Sequence, residues 1–278
     1  MSKVFLPDKI EALWEIWNTY PEAAIMAGAT DFLVGLRGGR VHSPVIIGLE
    51  RIKELQDIRL QTQQVMIGSM VTHQQLMDND IIKNNLSILC QAASVVGSPA
   101  IRHMGTIGGN ICTASPAGDT LPPLYILEAR LELISPAGTR TAPIQEFILA
   151  PGKTDRRPME LLYRIIIPVP EPGSIGGYYK VGQRQALAIA IASMAALLWL
   201  NPDNTVAEGR FAWGSVGPTI VRFPDLETEF KGREFSKELL KDIGARGAGK
   251  ITPITDLRAS AEYRRQLAAH LPLGLWRS

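Results

Sequence analysis

Apolar residues recur at helical spacing near the start of the chain. Ile10, Leu13, Trp14 and Trp17 share one stripe of residues 8–20, with Asp8 at the cap and Pro21 as the stop. This pattern predicts a helix whose aromatic stripe packs into a core. The period then shortens. Residues 24–27 and 44–49 are brief apolar runs of the buried-strand kind. Between them residues 31–37 read as a helix, with Thr30 or Asp31 as cap and Gly38-Gly39 as stop. A β-α-β-like unit is therefore expected over the first fifty residues. Residues 57–61 and 65–68 read as paired strands joined at Thr62-Gln63-Gln64. Thr72 then caps a short helix through Met77. Residues 81–95 carry Ile82, Leu86, Leu89, Cys90 and Ala93 along one face of a longer helix, and residues 121–128 look helical too.

Further on, residues 129–134 and 138–142 form an expected hairpin, and residues 160–168 are a strong strand signal. Pro168, Pro170 and Pro172 then fall within five residues, a composition that favours an extended linker and marks a domain boundary. Beyond it, residues 177–181, 188–200 and 205–214 read as strands, with Asn201-Pro202-Asp203-Asn204 as a turn. Residues 226–230, 236–245 and 256–270 read as helices. A run of strands followed by helices predicts an α+β domain.

Composition narrows the function classes. The 278 residues suit one large or two modest domains, and 46% hydrophobic with 20% charged residues is ordinary for a globular protein. Basic and acidic residues number 29 and 27 and are interspersed, so there is no electrostatic footprint for nucleic acid. Cys90 and Cys112 are the two cysteines and form no C-x-x-C, which argues against a disulfide framework or an iron–sulfur cluster held by this chain. Cys90 fits a small core position. The four histidines show no ligand spacing, and no metal is expected. There is no G-x-S-x-G, so serine-nucleophile chemistry has no support. Residues 1–7 lack a secretory hydrophobic region, and an intracellular protein is expected. The longest uncharged apolar run, residues 186–200, is shorter than the ~18–20 residues a membrane helix needs.

Two stretches carry candidate chemistry. Residues 105–119 pack Gly105, Gly108, Gly109 and Gly118 among small and hydroxyl residues, with Asn110 and Asp119 as polar side chains. Such a stretch reads as a long loop whose exposed N–H groups make a concave anion site. The second stretch runs from the strand at residues 24–27 through Gly28 to the helix at 31–37. A strand, a glycine and a capped helix are a usual phosphate-binding arrangement. Neither a G-x-G-x-x-G nor a P-loop motif is present, so a diphosphate here would be held by another geometry.

Together these stretches resemble the FAD-binding subunit of molybdenum hydroxylases, the xanthine dehydrogenase and carbon monoxide dehydrogenase family. The resemblance lies in Ala27-Gly28-Ala29-Thr30-Asp31-Phe32-Leu33, Val96-Gly97-Ser98-Pro99-Ala100-Ile101-Arg102, Thr106-Ile107-Gly108-Gly109-Asn110-Ile111, Ser115-Pro116-Ala117-Gly118-Asp119 and Tyr178-Tyr179-Lys180-Val181-Gly182-Gln183-Arg184. It implies a two-part FAD-binding domain over residues 1–170, with subdomains of about 1–56 and 57–170. A small C-terminal domain of antiparallel sheet and helices would follow over 171–278. It also implies FAD contacts from Ile25, Met26, Ala27, Gly28, Ala29, Thr30, Asp31, Phe32, Leu33, Val96, Thr106, Gly108, Gly109, Asn110, Ile111, Cys112, Asp119, Leu162 and Lys180. Main-chain amides of residues 28–32 would hold the diphosphate, and Ile111 and Cys112 would approach the ring. Asp119 would bond the nucleotide end.

Molybdopterin and two [2Fe-2S] clusters would sit on a large and a small partner subunit, in a dimer of heterotrimers in the cytoplasm. This chain would pass electrons from those clusters to an external acceptor. Ala29 stands where the family usually has glycine, which fits only if φ there is negative. A stand-alone FAD-dependent oxidase and a flavin-free scaffold with the same fold are the alternatives.

Overall fold

The computed structural model describes residues 2–184 and 187–277, so the Ala186 end of the apolar run read from the sequence lies outside the described residues. The first subdomain holds β1 (Lys3–Phe5), α1 (Ile10–Thr19), β2 (Ala24–Met26), α2 (Phe32–Arg37) and β3 (Val45–Gly48). All three strands are parallel, in the order β1-β3-β2. The β-α-β expectation holds, and β1 adds a strand too short to be read from pattern. Ile10, Leu13 and Trp17 are buried as the stripe requires. Each buried side chain of this size contributes about 1.5–3 kcal/mol of burial energy. Lys9 rather than Asp8 occupies the cap position, and no side chain caps the helix.

The second subdomain begins with β4 (Ile58–Gln61) and β5 (Gln64–Gly68). Six helices follow: α3 (His73–Asp78), α4 (Asp80–Asn85), α5 (Ser87–Ser94), α6 (Pro99–Met104), α7 (Ile107–Thr113) and α8 (Leu121–Ile126). Then come β6 (Arg130–Ser135), β7 (Gly138–Pro143), α9 (Ile144–Phe147), β8 (Ile148–Ala150), β9 (Lys153–Thr154) and β10 (Leu161–Pro168). The main sheet is antiparallel, in the order β4-β5-β10-β6-β7. Thr72 caps α3 through a full capping box with Gln75. The single helix expected over 81–95 is two helices. Leu86 leaves helical geometry at φ −135° and its side chain is buried, so packing overrides a continuous apolar stripe.

The C-terminal domain is an antiparallel sheet of β11 (Ile175–Gly182), β12 (Ala190–Leu200), β13 (Val206–Gly214) and β14 (Val221–Arg222), in that order. Helices α10 (Pro224–Glu229), α11 (Lys237–Lys250) and α12 (Ala261–His270) cover it. The last helix starts later than residue 256, because Asp256 accepts from Arg258 and Arg264 in an irregular segment. Of the described residues, no helix is long and apolar enough to cross a membrane.

The central core does not stop at the proline-rich boundary. Ala195, Leu197, Ala212 and Ile220 pack into the same buried cluster as Leu89, Ile111 and Leu162. The two domains therefore share apolar packing, which fixes β11 against the helices of the first domain.

Candidate functional site

The two glycine-bearing stretches meet. A methyl group placed on Gly28 would overlap the carbonyl oxygen of Met104, with the carbonyl carbon 2.7 Å away and Gly105 Cα 3.1 Å away. One placed on Gly109 would lie 2.9 Å from Thr106 Oγ1 and 3.7 Å from Ala27 Cβ. The turn after β2 is thus seated against the junction of α6 and α7. Glycine at 28 is required by this close backbone approach.

The turn itself departs from expectation in two ways. No side chain caps α2, and Asp31, at the cap position, is in the αR region. Ala29 sits at φ +62°, not at the negative value the sequence reading required. A left-handed alanine is strained by about 1–2 kcal/mol. Ala29→Gly should therefore raise stability by about 1 kcal/mol, read as a higher urea midpoint at unchanged slope. What the turn does offer is donors. Among the described residues, the main-chain N–H groups of Gly28, Ala29, Thr30, Asp31 and Phe32 have no hydrogen-bond partner.

The glycine-rich stretch of residues 105–119 is not a long open loop. It contains α7, and the helix α6 before it was also unread. Its amides are already used. Ile107 N donates to Val71 O at 2.9 Å and Gly108 N to Ser69 O at 2.9 Å. Gly109 N donates to Thr106 Oγ1 at 3.0 Å, and Asn110 N to Thr106 O at 2.9 Å. The expected concave array of free N–H groups is therefore absent over residues 107–110: Val71 and Ser69 beneath take the donors of Ile107 and Gly108, and Thr106 takes those of Gly109 and Asn110. A methyl group on Gly108 would lie 2.6 Å from Ser69 Cβ, so this glycine serves packing on the floor.

From α7 the contacts run on to the C-terminal domain. Asn110 Oδ1 accepts from Thr120 Oγ1 at 2.7 Å. Beside it Asp119 is buried and receives Lys180 Nζ at 2.7 Å and Tyr178 Oη at 2.8 Å. Lys180 Nζ also donates to Val95 O at 3.0 Å, next to Val96, and Ser215 N donates to Pro116 O at 2.9 Å. Burial pushes the Asp119 carboxyl above the usual carboxylate range, against the opposing pull of Lys180 and the Tyr178 hydroxyl.

The structure thus brings together Ala27, Gly28, Thr30, Gly109, Asn110, Asp119 and Lys180 along one continuous set of contacts. Ile25, Met26, Ala29 and Phe32 are partly buried in or beside the same turn, and Asp31 and Leu33 are exposed there. Other side chains on the sequence list point elsewhere. Ile111 and Leu162 are sealed in the central core and Thr106 is spent as the α7 cap, so their side chains present no surface to a ligand. Cys112 is exposed on α7. Sequence reasoning missed the floor, Ser69 and His73, and the pairing of Asp119 with Tyr178. Thr72, read only as a cap, bridges Thr106 and was the one signal that this segment lies under the glycines.

Comparison with known proteins places this arrangement. Residues 1–170 match the FAD binding domain in molybdopterin dehydrogenase, and residues 177–278 match the CO dehydrogenase flavoprotein C-terminal domain. The chain belongs to the FAD-binding subunit family of the molybdenum-dependent dehydrogenases, a family of oxidoreductase subunits. It is 32% identical over 249 residues to the xanthine dehydrogenase FAD-binding subunit of Escherichia coli O157:H7, covering 89% of this chain and 85% of that one. It is 29% identical over 250 residues to the carbon monoxide dehydrogenase medium chain of Hydrogenophaga pseudoflava, covering 90% and 86%. The solved carbon monoxide dehydrogenase from Hydrogenophaga pseudoflava superposes with a TM-score of 0.93 at 26% identity, over 99% of this chain and 96% of that one.

Proposed function

We propose that FAD lies along the contacts that join the turn after β2 to α7 and to the Asp119–Lys180 seam. The chain would then be the electron-relay subunit of a molybdopterin, [2Fe-2S] and FAD dehydrogenase. The observation that carries this reading is the direct seating of the Gly28 turn on Gly105 and Gly109, with five unpartnered main-chain donors on that turn. Donors fixed in a turn suit a diphosphate without a cationic cluster. The absence of a lysine or arginine between Ala27 and Leu33 agrees with this.

FAD, when bound, supplies the capacity to accept and release electrons singly or in pairs. The chain's residues supply grip and orientation. The N–H groups of residues 28–32 donate to the diphosphate, and Thr30 and Asn110 flank it. Gly109 lets α7 sit close to the turn, since a side chain there would meet Thr106 Oγ1 and approach Ala27. Lys180 and Asp119 hold β11 against the first domain, with a buried cation at that seam.

Domains of 1–170 and 171–278 fit the parallel sheet, the five-stranded antiparallel sheet and the small β8-β9 pair before the proline-rich stretch and the four-stranded sheet after it. The medium-chain relatives support partner subunits for this chain, read here as a large molybdopterin subunit and a small [2Fe-2S] subunit; a dimer of such heterotrimers in the cytoplasm is part of the proposal. Electrons would enter from the small subunit and leave to an external acceptor. The match of residues 177–278 to the CO dehydrogenase flavoprotein C-terminal domain favours this over a stand-alone oxidase.

Titration of the purified, cofactor-stripped chain with FAD tests the reading. Stoichiometric binding with a flavin absorption spectrum is expected. Well-folded protein that takes up no FAD would overturn it.

A further inference from the structure

A single guanidinium closes the end of the C-terminal sheet that meets the first domain. The last row to cross three strands of that sheet is Lys180 on β11, Ser193 on β12 and Gly214 on β13. Just beyond this row the ladder between β12 and β13 has ended, and the carbonyls of Ile191 and Ser215 are taken by a side chain. Arg264, on α12, donates through Nη1 to Ile191 O at 2.6 Å and to Ser215 O at 3.0 Å. Its Nη2 donates to Asp256 Oδ1 at 2.8 Å, and the residue is 3% exposed. A planar fork of donors holds several acceptors in a fixed geometry, which a single ammonium on a flexible stem does not do.

Ser215 has a strained backbone. Its φ is +63°, a left-handed conformation that costs energy in a residue with a side chain. Serine can ease such a turn by bonding its hydroxyl locally. Here Ser215 Oγ is buried and has no hydrogen-bond partner among the described residues. The conformation is instead held through the main chain, from both sides. The carbonyl is held by Arg264, and the N–H donates across the domain seam to Pro116 O at 2.9 Å. Pro116 opens the short run to Asp119, where Lys180 Nζ arrives at 2.7 Å from the same end of the sheet. The run 116–119 is thus fastened to the C-terminal domain at both ends, by Ser215 and by Lys180. Strain of this kind persists only where the surrounding contacts over-determine it.

We infer that Arg264 is a positioning residue for the cofactor cleft: by clamping Ser215 in its left-handed conformation, it fixes the run 116–119 between α7 and β11. Arg264 is sealed at the sheet end and touches no cofactor. The inference rests on the reading that FAD lies along this seam. It gives a helix of the C-terminal domain a part in shaping a cleft built mainly by the first.

The test separates positioning from plain structural support. Arg264→Lys keeps the charge but loses the fork, so its melting temperature should fall whichever role is right. Only a positioning role also moves FAD affinity. Its FAD dissociation constant, read by quenching of flavin fluorescence well below the melting temperature, should rise about tenfold. Glycine adopts positive φ without strain. Adding Ser215→Gly to Arg264→Lys should therefore restore affinity to within about threefold of wild type, while the double variant still melts below Ser215→Gly alone. Ser215→Val leaves the guanidinium in place but disfavours the left-handed backbone. It should weaken FAD to a similar extent, and it carries the test should Arg264→Lys not fold. Wild-type affinity in a folded Arg264→Lys or in Ser215→Val would overturn the assignment, leaving Arg264 a structural residue. A loss of affinity that Ser215→Gly does not restore would also overturn it, by placing the effect elsewhere than at Ser215. A wild-type chain that takes up no FAD would overturn the reading beneath it as well.

Discussion

Gly28→Ala should destabilise the chain by about 3 kcal/mol or more and abolish FAD uptake. Overpacking of a filled site costs roughly 1–3 kcal/mol when flexible side chains can yield. Here the added methyl meets backbone, the carbonyl of Met104 and Cα of Gly105, which cannot rotate aside. The carbonyl oxygen cannot retreat freely either, because Gly105 is pinned twice: its N–H donates to Ile101 O at 2.6 Å and its carbonyl accepts from His73 N at 3.0 Å. Relief must come from moving the turn away from α7. That separates the five free donors of residues 28–32 from Gly109 and Asn110, so stability and cofactor binding fall together.

A control isolates the cause. Gly249, inside α11, has nothing within 4 Å of the position its methyl would take. Gly249→Ala should therefore raise stability by about 0.5–1 kcal/mol through helix propensity alone. Urea unfolding of both variants, with and without FAD, checks the pair. A Gly28→Ala protein with a wild-type midpoint would show that the two turns are not in contact.

Much of this arrangement is legible in the sequence, and the failures share a cause. The β-α-β start, the hairpin of β6 and β7, the cap at Thr72 and the strand-then-helix order of the C-terminal domain all follow from local period and turn chemistry. Those signals are set by residues close in sequence. The glycine stretch reads as a loop because Gly108 and Gly109 are poor helix formers. In place, α7 is held by Thr106 as cap and by the floor residues Ser69 and Val71, contacts from some forty residues earlier in the chain. Ala29 was expected at negative φ because an alanine prefers it. The tertiary seating of the neighbouring Gly28 overrides that preference. Asp119 and Lys180 were each identified as cofactor contacts by resemblance, but their ion pair spans two domains and no local pattern encodes it.

That pair carries the second large effect. Lys180 and Asp119 side chains are 11% and 9% exposed, and β11 reaches the first domain through them. Removing one partner of a buried ion pair costs about 3–5 kcal/mol, because the other is left charged and desolvated. Lys180→Met should approach this range at neutral pH, since Asp119 keeps only the Tyr178 hydroxyl as a partner. The loss should shrink in acid. Burial already raises the Asp119 carboxyl above its unfolded value, and Lys180 opposes that rise, so its removal raises the carboxyl further. The folded state then holds a proton that the unfolded chain has released, so its stability falls as pH rises. Lys180→Met protein should accordingly be nearest to wild type below the unfolded carboxylate value of about 4. It should lose ground as pH climbs through the raised folded value. Asp119→Asn should cost less, because Lys180 retains Val95 O and an amide replaces the carboxylate in shape. The double variant should be more stable than the sum of the two losses implies, a coupling of order 1–3 kcal/mol. Urea midpoints at pH 4.5 and 7.5 decide it. A Lys180→Met deficit that is the same at both values would mean that Asp119 stays ionised without its partner, and that the seam is more open to water than its geometry shows.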